Sequence, residues 1–209
     1  RNSFAAESML NFLRDTGIAQ IAVLVFDSMK DPVYQRCRGW GGVPTVVVSG
    51  SYKEKRRELC GRISDAFTAH GVDLVFSTFR WMIAGKFLSV FKWRIINLHP
   101  AVLPAFKGWF PEERAYFSGA RFMGATCHFI DEGMDTGIMI NQATLAVQPS
   151  MDLAGNREIL FDAMKALSAH TLWLLCTGGA WVEGDAMRFE DGVCHGVVHS
   201  MPHFNSNSL

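Results

Sequence analysis

The chain has 209 residues, 49% of them hydrophobic, and its 20 lysine and arginine side chains match 20 aspartates and glutamates. That length suits one domain over 1–209 with a substantial core, and the balanced charge gives no overall field to attract nucleic acid or an anionic membrane. No apolar run approaches the roughly 20 residues that span a bilayer, and the opening RNSFAAESML lacks the pattern of a signal peptide.

In chain order, Ser3 caps a predicted helix running to about Arg14, with Gly17 past its end. The run IAVLVF (21–26) reads as a strand buried on both faces. A short helix is expected from Pro32 to Arg38, then a strand PTVVV (44–48). A long helix from Tyr52 to His70 is closed by Gly71; the charge run KEKRRE (53–58) within it reads as a solvated start with i,i+4 pairing. VDLVFS (72–77) and RIINL (94–98) give two further strands. A helix near 111–118 precedes two longer strands, GATCHFI (124–130) and GIMINQATLAV (137–147), and residues 152–176 form a long amphipathic helix. Residues 179–209 read as short strand pieces and a polar tail. Strands alternating with helices predict an α/β, Rossmann-like, doubly wound and mostly parallel sheet. The chain opens on a helix, so the strand that usually starts such a sheet is expected to be absent from it.

The most informative stretch is RIINLHPAVLPAFKGW (94–109). Asn97 and His99 are two apart on a strand and so project to one side, at the strand's carboxyl end, where open α/β sheets bind ligands. Pro100 stops the strand. A polar strand end wetted by solvent is the plainer reading. In HFIDEGMDTGIMI (128–140), Asp135 sits between Gly133 and Gly137, on a loop flexible enough to reach His99 and hold it charged. An amide, an imidazolium and a carboxylate together suit a developing oxyanion. No serine or cysteine has a nucleophile's context, so direct attack by a substrate amine fits better than a covalent acyl-enzyme. Cys37, Cys60, Cys127, Cys176 and Cys194 are scattered, with no C-x-x-C pair, which suits reduced thiols in a cytoplasmic protein.

NLHPAVLPAFKG followed by GATCHFIDEGMDTG resembles the folate-dependent formyltransferases, the superfamily of glycinamide ribonucleotide transformylase. The resemblance implies a 10-formyltetrahydrofolate donor and a catalytic trio of Asn97, His99 and Asp135. Asn97 would hydrogen-bond the formyl oxygen, His99 with Asp135 would stabilise the oxyanion, and Asp135 would relay the proton through water. It also puts Trp81, Met82, Ile83, Glu132, Gly133 and Met134 beside the donor, largely through backbone. On the acceptor side the phosphate-loop pattern keeps Ser3 but has Phe4 where an asparagine is expected. Arg80 aligns with a methionine and Lys165 with a glutamate. Two cations there suit a carboxylate better than an ammonium, so the favoured acceptor is a carboxylate-bearing amine, N5-hydroxyornithine-like, of siderophore biosynthesis. The alternatives are phosphoribosylglycinamide formyltransferase, formyltetrahydrofolate deformylase and a non-catalytic nucleotide-binding module. Of the remaining residues, His128 reads as a core or supporting histidine, and Trp109 and Phe110 as packing or a substrate wall. No metal is expected; Cys194, His195, His199 and His203 read as solvated tail residues.

Overall fold

The computed structural model of the chain describes residues 3–79, 81–193 and 196–198. Six α-helices and nine strands alternate along them. The order is α1 (Ser3–Thr16), β1 (Leu24–Phe26), α2 (Pro32–Cys37), β2 (Thr45–Val47), α3 (Tyr52–Ala69), β3 (Val75–Ser77), α4 (Lys86–Val90), β4 (Ile95–His99) and α5 (Pro111–Phe117). There follow β5 (Phe122–Phe129), β6 (Met139–Ala146), α6 (Leu153–Cys176), β7 (Ala180–Glu183), β8 (Ala186–Phe189) and β9 (Gly196–Val198). Three elements depart from the sequence expectation. The five residues of α4 are too few to show a helical period, and IAVLVF and VDLVFS each contribute only their last three residues, to β1 and β3.

The main sheet has the order β3-β4-β5-β6-β9, and β1-β2 forms a separate parallel pair. Pairing is parallel in β3–β4 and β6–β9 and antiparallel where the β5–β6 hairpin enters. Adjacent residues of β4 serve opposite faces. Ile96 joins Ala125, Cys127, Ala143 and the buried side of α6, while Ile95 joins Val75, Leu59 and Ile63 of α3 and Phe87 of α4. Helices therefore cover both faces of a Rossmann-like sheet.

Between β1 and β3 lies a cleft of about 1480 Å³, lined by Leu24 and Val25 on one side, Val75 and Phe76 on the other, and Met9 and Leu13 of α1. In the doubly wound strand order 3-2-1-4-5, β1 to β4 correspond to positions 2, 3, 4 and 5. The cleft lies where position 1 falls in that order.

The sequence expectation about apolar length needs one correction. By length and composition alone α6 could cross a membrane. It is the central helix of the fold: Leu160, Ala163, Leu167 and Leu174 are buried, and so are its polar Asn156, Ser168 and Thr171, each with hydrogen bonds. Asn156 organises the turn that feeds the helix. Its Oδ1 accepts from Gln148 N at 2.8 Å, and its Nδ2 faces the carbonyls of Asp152 at 2.9 Å and of Gln148 and Met151 at 3.2 Å. Asp152 caps the helix by accepting from Gly155 N at 2.9 Å. Replacing Asn156 by Ala strands several part-buried backbone groups at once. We expect a stability loss of about 2 kcal/mol or more, read as a lower urea midpoint with an unchanged slope; an unshifted midpoint contradicts this account of the turn.

Candidate active site

The antiparallel register of β4 on β5 sets Asn97 opposite His128 and His99 opposite Thr126. Cross-strand partners share a face, and in β6 Gln142 continues the row beyond Thr126. Five polar side chains thus stand together on the α3 face, near the carboxyl end of β4. Asn97 Nδ2 lies 3.2 Å from His128 Nε2. His128 Nδ1 lies 2.8 Å from the carbonyl of Phe129, a geometry that assigns its proton to Nδ1 and leaves Nε2 to accept from the amide. The second Nδ2 hydrogen of Asn97 is then available to another acceptor.

The carboxylate of Asp135 closes the cluster. Its Oδ2 is 3.3 Å from His99 Nδ1 and its Oδ1 3.6 Å from His128 Nε2, while the amide of Gly108 donates to Oδ2 at 2.8 Å. The glycines around it do something other than flex. Neither Gly133 nor Gly137 has a positive φ; the left-handed residue is Asp135 itself, at φ 52°. A side chain at Gly137 would run into the carbonyl of Phe129, and one at Gly133 into Thr136. Asp131 Oδ1 fastens the loop by accepting from Gly133 N at 3.0 Å and Thr136 Oγ1 at 2.7 Å. Phe106 and Phe110 are also left-handed, at φ 55° and 54°. Backbone strain of this kind gathers at functional sites.

Residues 101–108 are held by a buried network. Thr126 Oγ1 donates to Ala101 O at 2.8 Å and accepts from Leu103 N at 3.0 Å. Gln142 Nε2 donates to Leu103 O and Thr126 Oγ1 at 2.8 and 2.9 Å. His99 Nε2 faces Phe106 O at 3.1 Å, so both ring nitrogens of His99 point at acceptors.

Burial holds His99 below the ordinary histidine range; Asp135 opposes this, followed by the Phe106 carbonyl and Glu112, while His128 adds to it. The sequence expectation of a carboxylate keeping His99 charged is therefore outweighed by desolvation at rest. Burial would raise Asp135, yet the adjacent His128, the Gly108 amide and His99 together bring it below its usual value. The site at rest is a carboxylate between two imidazoles. Burial also raises the described thiols, Cys127 to about 12; none is an activated nucleophile.

The other expected site residues are distributed as follows. Trp81, Met82 and Ile83 follow β3; Trp81 meets Trp109 edge to face, with ring centroids 6.4 Å apart. Met134 reaches Gly108, since a Cβ there would lie 2.9 Å from its sulfur; Glu132 and Gly133 are exposed on the same loop. Trp109 and Phe110 are themselves exposed and line the mouth of the large cleft, which Asn97, His99 and Asp135 do not line. Lys165 pairs with Asp162, three residues earlier on α6, at 2.7 Å. Arg80, Cys194, His195, His199 and His203, and the side chain of Ser3, lie outside the described residues. Among the described residues no group of three or more histidines, cysteines or acids could hold a metal ion.

Two residues were not singled out as site members from sequence: Thr126 and Gln142. His128, read there as core or supporting, contacts two of the trio. Strand period and register could have found Thr126 and Gln142.

The sequence profile of the Formyl transferase family matches residues 2–164. The chain is 30% identical over 130 residues to phosphoribosylglycinamide formyltransferase of Bacillus subtilis, a stretch covering 62% of this chain and 66% of that protein. It is 32% identical over 107 residues to formyltetrahydrofolate deformylase 1, mitochondrial, of Arabidopsis thaliana, covering 51% of this chain and 32% of that protein. The matched stretch thus spans less than two thirds of either relative. The structure of glycinamide ribonucleotide transformylase 1 from Symbiobacterium toebii superposes with a TM-score of 0.83 at 26% identity, over 91% of this chain and 90% of that one. A profile matched over most of the length, together with that shared fold, makes this chain a member of the formyl transferase family.

Proposed function

We infer that the chain transfers a formyl group from 10-formyltetrahydrofolate to the nitrogen of a small amine. The observation that carries this reading is the convergence on one carboxylate: Asp135 lies 3.3 Å from His99 and 3.6 Å from His128, which in turn stands 3.2 Å from Asn97. The acceptor nitrogen attacks the formyl carbon, and the C=O bond opens to an oxyanion. Asn97 donates its free Nδ2 hydrogen to that oxygen. Developing negative charge raises the proton affinity of the adjacent imidazole, so His99 takes up the proton that the attacking nitrogen sheds as the oxyanion forms and passes it to Asp135 and a water as the C=O bond is restored. Asp135 stabilises the imidazolium meanwhile. The C–N bond to the folate then breaks, and the proton lost by the acceptor nitrogen ends on the departing folate nitrogen, relayed through Asp135 and a water. Trp81, Met82, Ile83, Glu132, Gly133 and Met134 would flank the donor. One catalytic domain over 1–209, with 179–209 as a short-strand tail, and a cytoplasmic setting belong to the same reading; the free thiols of Cys37, Cys60, Cys127 and Cys176 support the setting.

The finer acceptor reading is a carboxylate-bearing amine such as N5-hydroxyornithine, held by Arg80 or Lys165, with Ser3 on the acceptor side. The Lys165–Asp162 pair does not oppose this, since an exposed ion pair is weak and exchanges readily. Phosphoribosylglycinamide is the second reading, favoured by the names of the Bacillus and Symbiobacterium relatives. The test is tetrahydrofolate release from 10-formyltetrahydrofolate with phosphoribosylglycinamide, ornithine, N5-hydroxyornithine or no amine. Release that needs N5-hydroxyornithine supports the finer reading; efficient use of phosphoribosylglycinamide alone replaces it. Release without any amine makes the chain a deformylase, and no release in any arm leaves a bare binding module.

Replacing His99 by Ala should lower turnover about a hundredfold or more, with donor affinity nearly unchanged. Turnover close to that of the unmodified chain would remove the mechanism. The same histidine should shape stability. Its folded value lies below the unfolded 6.5, so the unfolded chain binds the extra proton first as pH falls beneath that value. His99 therefore costs stability on acidification below about pH 6.5. Asp135 acts lower: its contribution is full above about 3.8 and is lost only as pH falls through its depressed folded value. Thermal melts from about pH 7.5 to about pH 5 should show Tm falling, with a shallower fall in His99→Gln. Part of the slope survives in that variant, because His170 is also lowered by burial. Equal slopes in the two proteins would mean that His99 is not held neutral.

A further inference from the structure

Outside the trio, one group of side chains has no part in the chemistry yet converges on the donor segment. Tyr52 and Arg56 lie in the first turns of α3, which is kinked at Lys55 (φ −136°, ψ 41°). Arg56 sends Nε to the carbonyl of Met82 at 3.0 Å and its NH2 group to that of Ile83 at 2.9 Å. Tyr52 donates its hydroxyl to Met82 O at 3.0 Å. The Tyr52 ring stacks on Trp81, with centroids 4.8 Å apart and planes 17° apart, and the Arg56 guanidinium sits 5.9 Å from the centre of the Tyr52 ring. A fixed planar fork on two successive carbonyls is a use that lysine cannot reproduce.

The segment so held is a loop between β3 and α4, which sets none of its own carbonyls by a strand ladder. Its position is fixed from α3, more than 25 residues earlier, as the separations of 26, 27 and 30 residues in these bonds record. Trp81 then passes the constraint on to Trp109, next to the Gly108 amide that holds Asp135. The expected solvated start of α3 holds for the exposed Lys55, although its partner Glu58, at 3.4 Å, lies three residues on and not four; it does not hold for Arg56.

We propose that Arg56 and Tyr52 are positioning residues that pre-form the donor-binding backbone at 81–83 and present Trp81 as a flat wall to the folate. The proposal rests on the folate-donor reading above. Neither residue touches the reacting atoms, so the effect falls on donor affinity. Arg56→Met keeps the length of the side chain and removes its donors; Tyr52→Phe keeps the stacked ring and removes the hydroxyl.

The experiment measures tetrahydrofolate affinity by calorimetry, donor KM and kcat, and hydrogen exchange at the amides of 82–85. Arg56→Met should weaken tetrahydrofolate binding and raise donor KM at least about tenfold, the scale of losing charge-assisted hydrogen bonds. Its kcat should change less than about threefold and its acceptor KM not at all, while exchange at 82–85 accelerates. Tyr52→Phe should move the same quantities in the same direction by less. A variant with lower Tm but unchanged tetrahydrofolate affinity overturns the proposal, as does a fall in kcat at constant donor KM. If the unmodified chain binds no tetrahydrofolate, the folate reading itself has failed, and the role of positioning its donor falls with it. Unchanged exchange in Arg56→Met with folate binding intact overturns the clamp alone.

Discussion

The register between β4 and β5 is the constraint on which the site depends. Side chains alternate along a strand, so a slip of one residue would turn His99 and Asn97 from the polar row into the apolar face beneath α6. Gly124 helps to forbid that slip. A Cβ there would strike the carbonyl of Ala143 and lie 2.6 Å from Val102 Cγ2, so β5 fits against its neighbours only with glycine at that height. Once this register holds, His128 must face Asn97, and Thr126 must face both His99 and Gln142. Loop residues are then recruited to a row of side chains that the sheet has already arranged.

The recruited loops are held against their own preferences. Asp135, Phe106 and Phe110 all sit in left-handed backbone, which costs non-glycine residues of order 1 kcal/mol or more each. Compensation is local: the Gly108 amide on Asp135, the Asp131 turn, and the Thr126–Gln142 network under residues 101–103. The outcome is a carboxylate with little freedom to follow either imidazole. Its distances to His99 and His128, 3.3 and 3.6 Å, leave room for both rings to share its charge without a full ion pair at rest. A site built this way holds the carboxylate's charge at rest and gains its positive partner only when a reaction creates it.

The motif around 94–109 was readable because its information is local: two β-branched residues, a same-side pair, and a proline that ends the strand. The long helices and the β5–β6 hairpin were readable by their periods. Three other features were not. The glycines at 133 and 137 look like hinges in sequence, but close approach of backbone needs glycine as much as flexibility does, and only coordinates tell the two apart. The charge of His99 depended on how far burial outweighs Asp135, a balance no spacing encodes. Arg56 was lost in a basic run because its partners lie 26 and 27 residues away. The acceptor side stayed the least legible, resting on single residues aligned one by one.

The cleft between β1 and β3 has a consequence for how the chain comes apart. The β1–β2 pair and the five-stranded sheet share no ladder hydrogen bonds among the described residues, so they are joined by side chains alone. That joint is the cluster in which Val25, Val46 and Val48 meet Leu59 and Ile63 of α3, reinforced where α1 packs on α2 and α6. Coupling between the two sheets runs through this cluster, to which Arg62 of α3 adds a hydrogen bond on Ser49 O at 2.9 Å. Apolar contact weakens on cooling, whereas ladders do not depend on it in the same way. Shortening Leu59 or Ile63 would therefore loosen the small parallel pair from the large sheet before it disturbs either ladder, and more so in the cold.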